Sequence, residues 1–190
     1  MKMIYRVPVI YAATCKSNLG PITAGFMDGL LIYLAFERYP TGISHLVATH
    51  VGNPTIAEGR PHERKILATI IETIETHDYR RRIQLKAMGT PFQEKVWTQL
   101  LHIPLGETRT YKQVAEAIGE PGKYRAVARA CAANPIAVLI PCHRVVQTNG
   151  QLGGYHWGTE LKAQLLDMEV QEAEKLKRSG QSLVSKVVKV

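Results

Sequence analysis

Apolar positions in the first eighty residues follow two different patterns. The stretch GPITAGFMDGLLIYLAF, starting at Gly20, holds two apolar runs separated by Asp28 and Gly29. An Asp-Gly pair readily takes the positive backbone angles of a tight hairpin turn. Farther along, between residues 61 and 77, apolar residues recur at helical spacing: Ile66, Leu67, Ile70, Ile71 and Ile74. The pattern predicts a β-meander covered by one amphipathic helix.

The second half of the chain has a helical pattern with clear start and stop signals. Thr90 followed by Gln93 forms a capping box, and the buried stripe of that helix is Phe92, Val96, Trp97, Leu100 and Leu101. Thr110 and Gln113 repeat the device for a helix that ends at Gly119. A third helix begins near residue 123 and stops before residue 134. Two short helices joined by a glycine-containing turn suggest a helix-turn-helix.

The third helix has two distinct faces. An inward stripe is expected at Tyr124, Val127, Ala128 and Cys131, while Arg125 and Arg129 lie on another face beside Ala126, Ala130 and Ala133. Small side chains around two arginines are typical of a helix that enters a nucleic-acid groove. A surface helix with two solvated arginines remains an alternative interpretation.

These patterns divide the chain into an α/β domain over residues 1–86, a helix-turn-helix domain over residues 87–170 and a basic tail over residues 171–190. The length of 190 residues, with 45% hydrophobic and 21% charged residues, is typical of a globular protein. A net charge of +8 and a pI near 9.5 favour a polyanionic partner. No apolar run is long enough to span a membrane, and the polar start does not fit a secretory signal, so we expect an intracellular protein with reduced cysteines.

Cys142 lies in the stretch IPCHRVVQTNGQLGGY, between a proline and a histidine and ahead of a glycine-rich turn. It could be inert packing, a metal ligand or a nucleophile. A zinc site is disfavoured because no C-x-x-C pair is present. The apolar run IAVLI before Pro141 predicts a buried strand ending in a turn. Adjacent side chains on a strand point to opposite faces, so His143 would need a tight turn or a bridging water to reach Cys142.

Four motifs together resemble one protein family. GTPFQEKVW, RAVARACAANP, PCHRVV and GQLGGYHWGTELKAQLL lie between Gly89 and Glu169, and this region is similar to the O6-alkylguanine-DNA alkyltransferases, above all to the C-terminal domain of the bacterial adaptive-response protein. The resemblance implies a ribonuclease H-like α/β domain followed by a winged helix-turn-helix-like domain. It also implies direct reversal of DNA damage, in which an alkyl group, mainly methyl, passes from O6 of a flipped guanine to Cys142 once per molecule, with no cofactor and no metal ion.

The resemblance implies a role for each matching residue. Cys142 is the nucleophile, His143 and Glu169 relay its proton through a water, and Asn134 holds the nearby turn. In the DNA-binding helix Arg125 fills the vacated base stack and Tyr111 supports the flipped nucleotide, and Lys123 and Ala126 are further DNA contacts. The base pocket is expected to include Val145, Tyr155, His156, Trp157 and Lys162. Two positions depart from the family pattern: Arg129 replaces a small residue and is expected to add a phosphate contact, and Trp157 stands where several relatives carry glycine and is expected to narrow the pocket.

The expected partner is double-stranded DNA, bound in the minor groove with little sequence preference by a monomer without membrane contact, in the cytoplasm or, in a eukaryote, the nucleus. Two other functions are possible from the residues. A lesion-recognition protein could feed excision repair without chemistry, and a helix-turn-helix regulator could carry a sensor cysteine. Cys142 with His143, Asn134 and Glu169 favours chemistry over the first, and GGYHWG at its distance from Cys142 disfavours the second.

Overall fold

The chain forms a mixed β-sheet with helices, followed by a helical part, in a computed structural model that describes residues 7–37, 41–51, 54–78, 83–180 and 188–189. The strands are β1 (Val9–Ser17), β2 (Gly20–Met27), β3 (Leu30–Ala35), β4 (Thr55–Glu58), β5 (Ile83–Gln84), β6 (Arg109–Thr110), β7 (Val145–Val146) and β8 (Val188–Lys189). The α-helices are α1 (Thr41–His50), α2 (Pro61–Thr76), α3 (Pro91–Leu100), α4 (Tyr111–Ala117), α5 (Tyr124–Ala132) and α6 (Thr159–Arg178).

The first part is built on a four-stranded sheet in the order β3-β2-β1-β4. Strands β1, β2 and β3 form an antiparallel meander, and β4 adds to β1 in parallel. The predicted hairpin is confirmed. Met27 pairs with Leu30, and the two turn residues that connect them, Asp28 and Gly29, have φ of 51° and 78°, respectively. The predicted helix is confirmed as α2, which buries Leu67, Ile70, Ile71 and Ile74 in the core next to the sheet.

The sequence patterns did not predict α1 or β4. Strand β4 has the sequence TIAE and pairs with β1 over four residues, from Val9 opposite Thr55 to Ala12 opposite Glu58. Four residues without alternating polarity are too few for a periodic signal, so this strand is defined by its pairing.

The helical part begins as the sequence predicts. Thr90 Oγ1 accepts a hydrogen bond from the Gln93 backbone N–H at 3.3 Å, and the Gln93 side chain accepts from the Thr90 N–H at 2.8 Å. Thr110 and Gln113 form the same reciprocal pair at the start of α4. Each pair satisfies two backbone donors that a helix N-terminus leaves unpaired. Helices α4 and α5 follow each other across Gly119, at φ 72°, and contact each other.

The two parts are joined through the backbone of β3 and through a shared core. The Leu34 N–H donates to the Pro135 carbonyl at 2.9 Å, and the Ala137 N–H donates to the Leu34 carbonyl at 2.7 Å. One continuous cluster of buried side chains includes Phe26 of the sheet and Trp97 of α3. The segment that leads to Cys142 is therefore held by the edge of the first-part sheet. No helix among the described residues is long and apolar enough to cross a membrane.

The boundary predicted between residues 170 and 171 falls inside α6. This helix continues to Arg178, and Ala173 on it is buried. Of the predicted tail, residues 181–187 and 190 lie outside the described residues, and β8 pairs in parallel with β5. The segment between α2 and β5 includes residues 79–82, which also lie outside the described residues.

Candidate active site

Cys142 lies at the start of a single 3-10 turn, Cys142–Arg144, and only 3% of it is exposed. The prediction of a strand before it was wrong. Residues 135–140 form turns with one isolated bridge from Ile136 to Leu34, and Val138 has φ of 63°. A positive φ at a β-branched residue is incompatible with a strand and is sterically strained. The backbone at Cys142 and His143 therefore forms a tight turn, which is one of the two ways in which we expected these adjacent side chains to be connected.

Asn134 holds both ends of the segment that leads to Cys142. Its Nδ2 donates to the Ile140 carbonyl at 2.9 Å and to Cys142 Sγ at 3.1 Å, and its Oδ1 accepts from the Ile136 N–H at 3.0 Å. The side chain is 4% exposed, so its bond to the Ile136 N–H replaces solvent for a backbone donor that the turn leaves unpaired, while the Ile140 carbonyl also accepts from the Cys142 N–H at 2.8 Å. Asn134 thus positions the sulfur as well as the loop.

The sulfur faces a cavity of about 320 Å³. Helix α5 contributes three small side chains to the wall, and the loop before α6 forms the opposite side. The lining residues are Tyr111, Ala128, Cys131, Ala132, Cys142, Gly154, Tyr155 and His156. Small-molecule sites typically have volumes of about 300 to 1,000 Å³. The space is therefore of the size that a nucleobase-like group requires.

A buried polar chain lies beside the cysteine. His143 Nε2 is 2.8 Å from Glu169 Oε1, and both side chains are 0% exposed. Arg144, which the sequence patterns did not single out, donates from Nε to Glu169 Oε2 at 2.8 Å and from Nη2 to Oε1 at 2.9 Å. Its presence in a buried ion pair has no signature in sequence. The geometry makes Glu169 an acceptor for two neighbours rather than a solvated helix charge.

Two buried polar atoms near Cys142 have no hydrogen-bond partner among the described residues: His143 Nδ1 and Tyr155 Oη. The rings of these two residues are in edge contact, with centroids 6.3 Å apart. Unpaired buried polar atoms are rare, and they point to a site where a further group binds.

Burial controls the ionisation of the thiol. It raises the pKa of Cys142 to about 11, although the Asn134 hydrogen bond and the charge of Lys162 act in the opposite direction. Burial likewise raises the pKa of Cys131 above its ordinary range and that of Tyr111 to about 12. Since the thiolate is the reactive form, the resting Cys142 needs a group that removes its proton.

Lys162 is fully buried and secures the loop that borders the cavity. Its Nζ donates to the Val145 carbonyl at 2.6 Å, to the Leu152 carbonyl, and to the Gly154 carbonyl at 3.5 Å. Burial lowers the pKa of this ammonium, while the two nearby cysteines oppose that shift. Lys162 is not a wall residue, and it acts through the backbone of residues that are.

Three residues of the loop before α6 were expected in the base pocket, and the structure places only two of them in the cavity wall. Tyr155 and His156 line the cavity, but Trp157 does not. The Trp157 ring packs against Phe36 and Tyr155, with centroid distances of 6.3 and 5.2 Å. The expected narrowing of the pocket by Trp157 therefore finds no support in the lining, because the indole is turned toward the first part of the chain.

Helix α5 and the turn before it present an exposed basic face. Arg125 and Arg129 lie on this face; Arg125 is exposed, Ala126 is half-buried, and Lys123 pairs with Glu120 at 2.9 Å. The inward stripe of α5 is partly different from the predicted one: the buried residues are Val127, Ala130 and Cys131, while Tyr124 is 44% exposed and Ala128 borders the cavity. Tyr124 lies in the first turn, where the helix has not yet reached the core, so the periodic pattern failed there.

Among the described residues, no group of three or more metal-ligating side chains comes together. Cys15 is exposed on β1, far along the chain from the other two cysteines. Cys131, which fits inert packing by its helical position, is buried but also lines the cavity beside Cys142.

Comparison with known proteins gives matches over both parts. Residues 91–171 match the family model described as 6-O-methylguanine DNA methyltransferase, DNA binding domain. The methylated-DNA–protein-cysteine methyltransferase of Methanosarcina barkeri is 46% identical over 160 residues, 84% of this chain and 97% of that protein. The bifunctional transcriptional activator/DNA repair enzyme Ada of Escherichia coli is 47% identical over 114 residues, 60% of this chain and 31% of Ada.

A solved structure matches most of the fold. The Mycobacterium tuberculosis OGT in complex with DNA superposes with a TM-score of 0.70 and 32% identity, covering 85% of this chain and 93% of that one. The chain spans only 30% to 62% of the length of three curated relatives, of which Ada is one. The similarity to these three relatives therefore concerns part of their length. The Methanosarcina protein is matched in sequence, and the Mycobacterium tuberculosis structure in fold, almost end to end.

Proposed function

This chain belongs to the O6-methylguanine DNA methyltransferase family, and from that membership we propose that it repairs alkylated guanine in DNA by direct reversal. A methyl group passes from guanine O6 to Cys142 Sγ in one displacement. The thioether product is stable, so each molecule acts once. No cofactor enters this chemistry.

The observation that carries the proposal is the placement of one thiol. Cys142 Sγ lies on the wall of a cavity of base-like size, is held by Asn134 at 3.1 Å, and sits in the same 3-10 turn as His143. An in-line displacement needs a fixed sulfur and an approach free of other side chains. Both conditions are met at this wall.

The proton must leave Cys142 before or during attack, because burial keeps the free thiol protonated. His143 Nδ1 is a buried ring nitrogen without a hydrogen-bond partner among the described residues, while its Nε2 is engaged by Glu169. We propose that a water between Cys142 Sγ and His143 completes the path. The sulfur electron pair then forms the S–C bond, the C–O6 bond breaks, and its pair remains on guanine.

The departing guanine needs a donor that stabilises its developing negative charge. We assign this role to the backbone N–H of His156, a residue that lines the same cavity as Cys142. The carbonyls of Cys142 and Val145 are assigned to the guanine amine, and Tyr155 to the pocket wall. Hydrogen bonds from backbone groups select guanine independently of nearby side-chain changes.

Guanine O6 lies on the pairing edge of a stacked base, so the nucleotide must be flipped out to reach Cys142. Arg125 is exposed on α5 and can fill the vacated stack, and Tyr111 lines the cavity where the flipped nucleotide enters. We propose that α5 enters the minor groove with little sequence preference. Arg129 and Lys123 contribute phosphate contacts, and the small Ala126 allows close approach.

The finer description of the architecture belongs to the same proposal. The first part, residues 1–86, corresponds to a ribonuclease H-like domain, residues 87–170 to a winged helix-turn-helix-like domain, and residues 171–190 to a basic tail that begins within α6. We propose that the protein acts as a monomer, in whichever compartment holds the DNA, cytoplasm or nucleus.

The test is transfer of a methyl group from DNA to one peptide. The protein is incubated with a duplex that carries a single O6-methylguanine, digested, and analysed by peptide mass. We expect a methyl mass increase only on the peptide that contains Cys142, saturating at about one per protein. Cys142→Ala should abolish it, and Cys131→Ala, which removes the second thiol of the same cavity, should not.

Two other results would contradict the proposal. Tight lesion binding without mass increase would identify a recognition protein that leaves repair to other enzymes. Methylation on Cys131 in the wild-type protein would show that the reactive thiol was assigned wrongly.

A further inference from the structure

Arg144 contacts three atoms at the centre of the buried polar chain. Besides its two bonds to Glu169, its Nη1 donates to the Ile103 carbonyl at 2.6 Å. The residue is 6% exposed and Glu169 is 0% exposed. A guanidinium held on three sides and largely shielded from solvent has a fixed orientation, and it fixes the carboxylate plane that it grips.

The hydrogen bonds from Arg144 to Glu169 determine which residue donates the proton in the His143–Glu169 hydrogen bond. Burial alone would raise the pKa of Glu169, but its contacts with His143 and with Arg144 outweigh burial and hold that pKa well below its ordinary value. The charge of His143 contributes only while the imidazole is protonated, whereas the Arg144 guanidinium is a permanent cation that donates to both carboxylate oxygens. An ionised carboxylate can only accept hydrogen bonds. The proton between Glu169 Oε1 and His143 Nε2 therefore belongs to the histidine.

A neutral imidazole carries one proton. With that proton on Nε2, the other nitrogen, Nδ1, has a free lone pair, and Nδ1 is buried without a hydrogen-bond partner among the described residues. The hydrogen bond made by one ring nitrogen thus sets the role of the other.

We propose that Arg144 is a positioning residue of the transfer reaction: by keeping Glu169 ionised and oriented, it fixes His143 as the Nε2–H tautomer, whose Nδ1 can accept the Cys142 proton. This inference rests on the proposed function for its kinetic consequence, and for the tautomer on the contacts of Arg144, Glu169 and His143 and on the ionised state of Glu169. It assigns to Arg144 an effect through two other side chains rather than contact with substrate.

The loss of Arg144 would shift the equilibrium between the ionised and protonated forms of the Glu169 carboxyl group. A carboxyl group with no exposure and no guanidinium partner favours its protonated form. A protonated carboxyl can donate to His143 Nε2, which moves the imidazole proton to Nδ1. Nδ1–H cannot accept a proton from the thiol, so the rate of transfer falls.

Other ionisable groups act on the same pair. Those that face it from neighbouring elements are His77 after α2, Glu172 on α6, and Cys142 and Tyr155 beside the cavity. Arg144 differs from them because it is a permanent cation that donates to both carboxylate oxygens of Glu169. Its removal therefore takes away the cation that stabilises the Glu169 carboxylate whatever the protonation state of His143.

The tautomer is measured first, on wild-type protein without DNA. Uniform ¹⁵N labelling of the seven histidines and comparison with His143→Gln identify the His143 ring signals. We expect the shift pattern of Nε2–H with an unprotonated Nδ1 at a neutral to slightly alkaline pH. A proton on Nδ1 in this spectrum overturns the proposal, whatever the variants do.

Methyl transfer rates from the O6-methylguanine duplex are then measured from about pH 5.5 to about pH 8.5. For Arg144→Gln we expect loss of the Nε2–H pattern and rates at least about 10-fold lower at the acidic end, with a smaller deficit at the alkaline end. Arg144→Lys, which restores a cation, should recover the tautomer and most of the rate. Arg60→Gln is the matched control, because Arg60 also pairs with a buried glutamate, Glu63, but at the start of α2.

Each outcome of these measurements has one meaning. A uniform rate loss in Arg144→Gln at every pH, with the Nε2–H pattern retained, would show a purely structural role and overturn the proposal. If Arg144→Gln does not fold, a folded Arg144→Lys with the proton on Nδ1 overturns it equally. Absence of transfer by wild-type protein would refute the proposed function, while the tautomer spectrum would still test the role of Arg144.

Discussion

The side-chain nitrogen of Asn134 donates to Cys142 Sγ at 3.1 Å and to the Ile140 carbonyl at 2.9 Å. One amide thus connects the reactive sulfur to the chain that precedes it. The donor favours a negatively charged sulfur over a neutral one, since hydrogen bonds to an ionised acceptor are about twice as strong as neutral ones. The same contact that shapes the loop also opposes the effect of burial on the thiol.

Replacement of Asn134 should affect both stability and chemistry. Asn134→Ala leaves the buried Ile136 N–H without its partner, at a cost of about 1 to 3 kcal/mol, whereas the Ile140 carbonyl keeps the Cys142 N–H as a donor. It also removes the donor to sulfur, so we expect methyl transfer to slow by at least about 10-fold. Urea unfolding and single-turnover rates measure the two effects.

Asn149→Ala is the control for that change, because Asn149 accepts a hydrogen bond from the Gln151 N–H on an exposed turn. A loss of stability in Asn134→Ala without any change in transfer rate would mean that the contact with sulfur is incidental.

The buried thiols predict a loss of stability at alkaline pH. A thiol in the unfolded chain loses its proton near about pH 8.5, whereas burial raises the pKa of Cys142 to about 11 and that of Cys131 higher still. Above that pH the unfolded state therefore binds fewer protons than the folded state, and the free energy of unfolding falls as pH rises. The slope approaches about 1.4 kcal/mol per pH unit for each thiol.

Urea unfolding between about pH 8 and about pH 10 measures this slope. Cys131→Ala should reduce it by roughly half, since one of two equivalent contributions is removed. Cys15→Ala should leave it unchanged, because Cys15 is exposed. An identical slope in wild type and Cys131→Ala would mean that the second thiol does not resist ionisation.

The close packing of Gly106 against α6 predicts that a substitution at this position affects Glu169 on that helix. Gly106 has φ of 74°, and a Cβ there would come within 2.7 Å of the Ala173 Cβ and 3.2 Å of the Glu169 carbonyl oxygen. Gly106→Ala combines backbone strain of about 1 to 2 kcal/mol with displacement of α6, so it should lower both stability and transfer rate.

Gly150→Ala isolates the strain, because Gly150 has φ of 80° and a Cβ added there would meet nothing within 4 Å. The difference in unfolding free energy between the two variants measures the packing effect. Equal losses in both, with normal transfer by Gly106→Ala, would show that α6 adjusts without moving Glu169.

The proposed role of Arg125 predicts that its replacement affects methyl transfer from duplex DNA but not from the free base. If it fills the base stack, Arg125→Ala should slow transfer from duplex DNA by about 10²-fold, since unstacking costs a few kcal/mol, while transfer from free O6-methylguanine base should not change. Arg64→Ala on α2 is the control, because it removes an exposed, paired arginine from another surface. An equal slowing with both substrates would place Arg125 in the pocket chemistry instead.

Local signals in the sequence predicted the parts of the fold that local interactions define. Asp28 and Gly29 predicted the hairpin, and Thr90 and Thr110 predicted two helix starts, because turn and capping bonds involve residues within three positions. The strand expected from IAVLI failed for the opposite reason. That run is apolar because it is buried, and the backbone is bent there by contacts with β3 and Asn134 that are distant in sequence or specific to this turn.

The candidate site shows the same limit. The resemblance to known repair proteins identified Cys142, His143, Asn134 and Glu169, and the fold brings these four together, although their roles in catalysis stay predictions. Arg144 follows His143 directly and has no motif of its own apart from them. Only the fold brings α6 across it, so its pairing with Glu169 could not be read from spacing.

The hydrogen bonds between Leu34 of β3 and the chain around Pro135 and Ala137 involve backbone atoms alone. They constrain the path of the chain and not the identity of its side chains. Side-chain substitutions on this edge of β3 therefore leave the junction itself intact as long as the strand stays extended, whereas a break in the strand at Leu34 would release the chain that leads to the thiol.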